Sequence, residues 1–403
     1  MVLKIAFRNI FRQKRRTLLT SLTMFGGFVL CSFSIAFMDG SYNNVINMFT
    51  RNQLGHIQIH HAEYRGRPAL YRTIDDYATV GGALDEIGRI HAWAPRIYAA
   101  GLASVKHKTS GVRIIGIDPA RENAATRFDK KIAEGSGFST GPAYEALLGK
   151  GLANRLGADI GGDIVIVSQG ADGSIANERY TIKGIIDSGN EADDKTALYL
   201  HLADAQELFV LENHVHEIAI VSSGIRGLYG LSTDIAAALD RPDLVVEPWQ
   251  EFARSFYDAM KADQKGNWIS LIIITMLVAI GVLNTVLMTV LERTREYGLL
   301  RAVGTSPWQV FSLVIIEVAV MAVISVAAGV AAGFALNYAF SVVGIPIPPV
   351  EYGGVTFSKM FTEINTRSYV IPLLSVVLSA TVVSVFPALK AARTRPAVAM
   401  RYH

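Results

Sequence analysis

The sequence predicts an α-helical membrane protein with four transmembrane helices in a 1+3 arrangement and a large α+β extracytoplasmic domain between the first and second. Three observations carry this. Residues 17–38, 266–291 and 368–389 contain no Asp, Glu, Lys or Arg, and residues 302–350 contain only Glu317. A hydrocarbon core about 30 Å thick needs roughly 20 apolar residues in helix, so each stretch holds one crossing. The long interval 39–265 has ordinary charge and no span, and is long enough for one or two soluble domains. Finally, the basic residues gather at three places. Lys4, Arg8, Arg12, Lys14, Arg15 and Arg16 precede the first span, Arg293, Arg295 and Arg301 separate the second and third, and Lys390, Arg393, Arg395 and Arg401 come after the fourth. Short positive segments stay in the cytoplasm. All three agree on one topology, with both termini inside and the large domain outside.

Taken in order, residues 1–16 form a cytoplasmic amphipathic basic segment, in which Ile5, Phe7, Ile10 and Phe11 lie in the headgroup layer and the arginines meet lipid phosphates. A span that begins one residue later favours anchoring of this kind over a nucleic-acid role for the basic run. The first helix, 17–38, is longer than a signal-peptide core and has no small-residue cleavage site after it, so it reads as a retained anchor. Its Cys31 is the sole cysteine and cannot form an internal disulfide.

Within 39–265, residues 39–55 and 250–265 read as polar stalk helices. Period-two runs at 55–60, 112–117, 163–168, 180–186 and 217–221 predict strands, while 144–156 and 228–239 predict helices, with Gly-rich breaks at 135–141, 161–162 and 170–173. Interleaved runs of both kinds indicate α+β layers. After the second helix, 266–291, comes a cytoplasmic segment, 292–308. The third helix, 309–340, is ended by Asn337, Tyr338 and the Pro346-Ile347-Pro348-Pro349 run. A short extracytoplasmic loop (341–367), the fourth helix (368–389) and a cytoplasmic tail (390–403) complete the chain.

Enzymatic motifs are thin. No G-x-x-x-x-G-K-[ST] phosphate loop occurs, so an ATP-driven step needs another polypeptide. Gly137-Phe-Ser139-Thr-Gly141 fits G-x-S-x-G, but a Gly-rich loop precedes it where a nucleophile elbow needs a strand. His56, His60, His61, His214 and His216 are candidate metal ligands, though His-x-His on an exposed strand face is ordinarily just solvated. The chain is assigned no catalytic, cofactor-binding or metal residue.

The informative segment is 291–308. Glu292, Arg293, Arg295 and Glu296 form one charged helical turn; Leu299, Leu300 and Val303 form an apolar stripe. Gly304 ends the helix and Pro307 opens the next. Two readings stand: a helix docking into a groove on a cytoplasmic partner, and an ordinary interfacial loop helix. In the third span, Gly329 and Gly333 form a G-x-x-x-G that brings helices together either inside the bundle or at a dimer seam. Glu317 lies about 13 Å along the helix from Trp308 at 1.5 Å per residue. It is a functional candidate as an intramembrane carboxylate, placed for snorkelling or a bond to another helix rather than for proton transport.

The run Asn284-Thr-Val-Leu-Met-Thr-Val-Leu-Glu-Arg-Thr-Arg-Glu-Tyr-Gly-Leu-Leu-Arg-Ala-Val-Gly304 resembles the signature of the FtsX-like, MacB-type permeases of ABC transporters, as do the two ends, 6–20 and 387–396. Segments 116–119, 148–157 and 161–165 are similar to the lipoprotein-releasing (Lol) branch, whereas 120–135 and 187–265 match nothing placed. The resemblance implies a multi-pass protein of the bacterial inner membrane with its large domain in the periplasm. It implies a dimer with a second copy or homologue, and two ATP-binding subunits that carry ATP and Mg and grip the helix through Glu292, Arg293, Arg295, Glu296, Tyr297, Leu300, Arg301 and Gly304. It also implies a lipid or lipoprotein substrate, and a periplasmic carrier or adaptor. Such machines act by mechanotransmission, as levers. The spans hold one carboxylate and no basic residue, too few to line an aqueous path. The leading expectation is extraction of a lipidated or hydrophobic substrate from the outer leaflet. The alternative is a signal transducer that activates a periplasmic enzyme such as a cell-wall hydrolase.

Overall fold

The structure is a computed structural model that describes residues 14–352 and 355–395. Most of the basic segment (Lys4, Arg8 and Arg12 included), part of the two end motifs and Arg401 of the tail lie outside the described residues. The chain divides into two compact units. One comprises the chain up to Asn44, Lys261–Ile347 and the chain from Lys359; the other comprises Val45–Met260 and Pro348–Ser358.

Among the described residues, four helices are long and apolar enough to cross a membrane, one before the α+β domain in chain order and three after it. They are Lys14–Phe49, Arg254–Glu292, Pro307–Val343 and Arg367–Ala392. The first two run unbroken into the polar segments expected to be stalk helices. Nothing in those segments breaks a helix until the π-turn Thr50–Leu54 on one side and Ala253, at φ −111° and ψ 43°, on the other.

The third helix corrects the expected boundary. Asn337 and Tyr338 do not end it. Asn337 is buried, and its Nδ2 donates to Ser32 Oγ (3.3 Å) and Tyr369 Oη (3.4 Å), which gives the amide N–H groups partners inside the bundle. The helix stops at Gly344, whose φ of +71° suits only glycine comfortably. Beyond Gly344 the chain forms a two-stranded sheet, Ile345–Tyr352 with Val355–Met360, where a plain loop was expected.

This unit's core is a stripe of small and β-branched residues. It runs from Met24 and Phe28 of the first helix through Val278, Val282 and Val286 of the second to Val314, Val318 and Ala322 of the third and Ala380 of the fourth. Close approach depends on glycine at Gly329, where a Cβ would come 2.8 Å from Phe28 Cδ1. The Gly329/Gly333 face therefore packs on the chain's own first helix, Gly333 opposing Ser32.

In the other unit, ten strands among the described residues form one mixed sheet. The order is Leu244–Pro248, Ile57–His61, Glu217–Ser222, Ile90–Val105, Lys108–Ile117, Ala197–His201, Glu145–Gly149, Ile175–Ile186 and Ile132–Gly135, with Asp163–Gln169 bridging Ile90–Val105 and Ile175–Ile186. Helices such as Leu228–Leu239 pack against the sheet. The expected helix over 144–156 is in fact the strand Glu145–Gly149 followed by the helix Lys150–Leu156. Ala146, Leu147 and Leu148 are fully buried, with neighbouring strands on both sides, one parallel and one antiparallel. A strand covered on both faces has a continuous apolar run rather than alternation.

Candidate functional site: the helix joining the second and third spans

The helix of the second span ends at Glu292, and a new helix begins at Thr294. Arg293 between them leaves the helical region (φ −92°, ψ 11°). The short helix Thr294–Ala302 closes with Gly304 at φ +100°. Thr305 N–H donates to Leu300 O and Gly304 N–H to Arg301 O, the paired bonds of a Schellman ending. Ser306 then caps the next helix reciprocally with Gln309, and Pro307 takes the first helical position. The C-terminal end of the segment is thus held by the paired turn bonds and the following cap.

Its faces are not those the sequence suggested. Arg293 and Tyr297, grouped there with the partner-facing residues, point into the bundle. Tyr297 is buried in the core stripe, and Arg293 is only 7% exposed. The Arg293 guanidinium donates through Nε to Glu296 Oε2 (2.9 Å) and through Nη1 to both Glu317 oxygens (3.2 Å each), and it lies over the Tyr297 ring. The partner of Glu317 is therefore this arginine, one loop away in sequence. Arg301 folds back onto the Thr305 carbonyl (3.3 Å). The outward face carries Glu292, Arg295 and the apolar stripe: Leu299 is 60% exposed, Val303 82% and Trp308 71%. Leu300 and Gly304 are exposed too. The apolar residues form the free surface because the aromatic Tyr297 and the stem of Arg293 fill the inner side.

Toward the other end of the bundle lies a cavity of about 410 Å³ between the first, second and fourth long helices. Cys31, Ile35, Leu271, Met276, Ile371 and Pro372 line it, with Thr275 and Ser375 the only hydroxyls. It has no charged wall residue. Thr275 is some 25 Å of helix from Glu292 at 1.5 Å per residue. Sequence reasoning missed this cavity, since each helix reads as uniformly apolar.

The histidines of the other unit do not converge, and no group of three or more metal-ligating side chains occurs among the described residues. His56 and His60 are buried rather than solvated. Ser222 N–H donates to His56 Nδ1 (3.1 Å), His60 Nε2 faces Glu247, and His216 Nδ1 accepts from the Tyr98 amide. Burial pushes both His56 and His216 down to about 4, helped at His56 by nearby Arg51. Ser139 bonds Glu145 and Lys183 in a loop, not on a strand-to-helix turn. The same unit buries an ion network invisible in the sequence, in which Arg96 holds Glu122 through two bonds (2.7 and 3.0 Å) and reaches Glu217 and Tyr98.

Residues 268–396, which include this short helix and the third and fourth spans, match the FtsX-like permease C-terminal family. Residues 17–227, more than half the chain, match the MacB-like periplasmic core domain. The chain belongs to the FtsX-like, MacB-type family of ABC transporter permeases. Two relatives carry the description lipoprotein-releasing system transmembrane protein LolC. That of Neisseria meningitidis serogroup B is 23% identical over 327 residues, and one from Xylella fastidiosa is 26% identical over 335; each alignment covers 78% of both chains. An FtsX-like permease is the non-catalytic membrane subunit of its transporter, and the family implies separate ATP-binding subunits.

Proposed function

We propose that this permease extracts a lipidated or similarly hydrophobic substrate from the outer leaflet of the bacterial inner membrane. Two ATP-binding subunits that hold ATP and Mg drive it from the cytoplasm, and a second copy or homologue of the chain completes a dimer. The large domain stands in the periplasm, where it hands the substrate to a carrier or adaptor. The outward apolar stripe Leu299, Leu300 and Val303, with Arg295 and Glu292 beside it, docks on the ATP-binding subunit. Force applied there moves the helices, so the machine works as a lever and opens no aqueous pore.

The observation that carries this reading is the apolar cavity beside Cys31, Leu271 and Ile371. Under the topology that the basic residues indicate, it sits in the outer-leaflet half of the spans. Its volume falls within the about 300–1,000 Å³ of ordinary ligand sites, and walls without charge suit a hydrocarbon chain rather than a polar solute. Drawing a sixteen-carbon chain from the bilayer into water costs on the order of 12 kcal/mol, at about 0.8 kcal/mol per methylene. A cavity that shelters part of that chain during lifting lowers the barrier.

The test fills the cavity. Ala279→Trp and Ser375→Trp place large side chains on its walls while Leu299 and Val303 stay untouched. In proteoliposomes with the ATP-binding partner, both variants should assemble. Release of a synthetic triacylated lipopeptide to an external acceptor should fall at least tenfold. Unchanged release from a filled cavity would remove the basis for this assignment.

A further inference from the structure

The break at Arg293 poses a mechanical problem. The backbone bonds Arg293 N–H to Thr289 O (3.1 Å) and Tyr297 N–H to Arg293 O (3.0 Å) carry the chain across this one non-helical residue, but they do not set where the short helix lies against the third long helix. Three observations show what fixes it. The Arg293 guanidinium bonds Glu296 on the short helix and both carboxylate oxygens of Glu317 on the third long helix. Both ends of the inter-helix bond are buried, Arg293 at 7% and Glu317 at 8% exposed. Glu317 stands among Leu313, Val314 and Val318 on the stripe where the third helix meets the rest of its unit.

We infer that Arg293 and Glu317 are positioning residues that form the joint through which movement of the short helix passes to the third long helix. This rests on the reading that ATP-binding subunits act on the short helix. A buried ion pair is a poor way to gain stability, because well-packed apolar residues of similar volume serve as well or better. The pair supplies register instead. A guanidinium with fixed N–H directions, held by carboxylates on two elements, admits one relative placement of those elements. Apolar contacts of the kind that bury Tyr297 in the core stripe tolerate sliding. The second span's own helix ends before the joint, so the third helix receives the displacement first.

The experiment uses the full complex with its ATP-binding partner in nanodiscs. Cys31, the sole cysteine, is replaced by alanine, and Val342→Cys, 65% exposed near the far end of the third helix, carries a spin label. The readout is the change in label mobility between the nucleotide-free and vanadate-trapped states, normalised to trapped nucleotide. Glu317→Gln should reduce that change at least fivefold. Arg293→Met combined with Glu317→Leu should copurify with the partner and melt no lower than the parent, yet lose the response as fully. Arg293→Lys, which keeps the charge but not the fixed N–H directions that reach both carboxylates, should give an intermediate response, at least twofold above that of Glu317→Gln. A structural role alone predicts another ranking, with the packed apolar pair working as well as the parent or better than Lys. Full response from the apolar pair, or loss with Lys as deep as with Gln, overturns the joint. A parent label that ignores nucleotide, with ATP turned over normally, overturns the lever reading itself and the joint with it, an outcome separate from failure of the variants.

Discussion

His56 and His216 show how much of the outer domain's behaviour sits in single side chains. Both are buried and uncharged, and burial holds each near 4 against about 6.5 in an unfolded chain. Between those values the unfolded chain binds more protons than the folded one, so stability is complete above about 6.5 and is lost as pH falls toward 4. At about 1.36 kcal/mol per unit, moving from pH 7 to pH 5 should cost roughly 2 kcal/mol per histidine. Denaturant midpoints read by tryptophan fluorescence should fall accordingly, and His216→Gln should remove about half of that slope. An unchanged midpoint at pH 5 would mean that both rings take up protons in the fold as readily as in the unfolded chain. Side chains of this kind were half legible in the sequence. Glu317 stood out because a carboxylate among apolar residues is a functional candidate by default, but its partner Arg293 depends on where a helix breaks. His60 read as solvated because one-sided alternation looks the same whether the second face meets water or, as here, Glu247.

Elements were legible where a single neighbour sets their pattern and obscure where several do. The helix Leu228–Leu239, packed on one side, has the bounds its periodicity indicates. The sixteen-residue strand Ile90–Val105 was missed. It pairs with Lys108–Ile117, Glu217–Ser222 and Asp163–Gln169 in different parts, and Pro95 and Gly101 interrupt its alternation. The G-x-x-x-G motif was legible as a packing site but not as to its partner. The structure seats it on Phe28, which yields a prediction. Gly329→Leu, whose Cβ alone would meet the Phe28 ring at 2.8 Å, should destabilise the bundle by about 1–3 kcal/mol through overpacking. Gly333→Ala, at 3.4 Å from Ser32 Oγ, should be tolerated. Cross-linking of the folded fraction should show dimer unchanged in both; loss of dimer without loss of melting temperature would place the motif at the seam instead. The short helix makes a second claim at this scale. Val303→Glu puts a charge at the centre of the exposed stripe, and if Val303 is an anchor of the docked interface, its loss should cost about 2 kcal/mol or more, roughly 30-fold in affinity for the ATP-binding partner. Copurification measured against Glu292→Gln, at the stripe's edge, checks it.

At the scale of the whole molecule, hydropathy and charge speak most clearly, because membrane insertion sums them over many residues. Four apolar helices among the described residues, one before the α+β domain and three after, can be read from where charges are missing. The sheet's strand order cannot, since it depends on pairings between segments more than a hundred residues apart, such as Ile57 with Ile220. The direction of insertion is a further inference from the basic residues and can be tested directly. In a Cys31→Ala background, cysteines are placed at Ser174, exposed in the turn between Asp163–Gln169 and Ile175–Ile186, and at Val303, exposed at the end of the short helix. Val303 is preferable to Ser306, whose side chain caps the next helix and whose loss would cost about 1 kcal/mol. The chain is expressed without its partner, so that nothing docked shields the stripe. A membrane-impermeant maleimide added outside intact inner membranes should label Cys at 174 and leave Cys at 303 unmodified; permeabilisation should then expose the second site. The expectation rests on Arg293, Arg295 and Arg301 lying in a loop far too short to escape the positive-inside bias, whereas the long domain carrying Ser174 is exempt from it. Labelling at 303 but not at 174 before permeabilisation would invert the protein. The apolar cavity would then face the inner leaflet, and extraction from the outer leaflet would lose its physical basis.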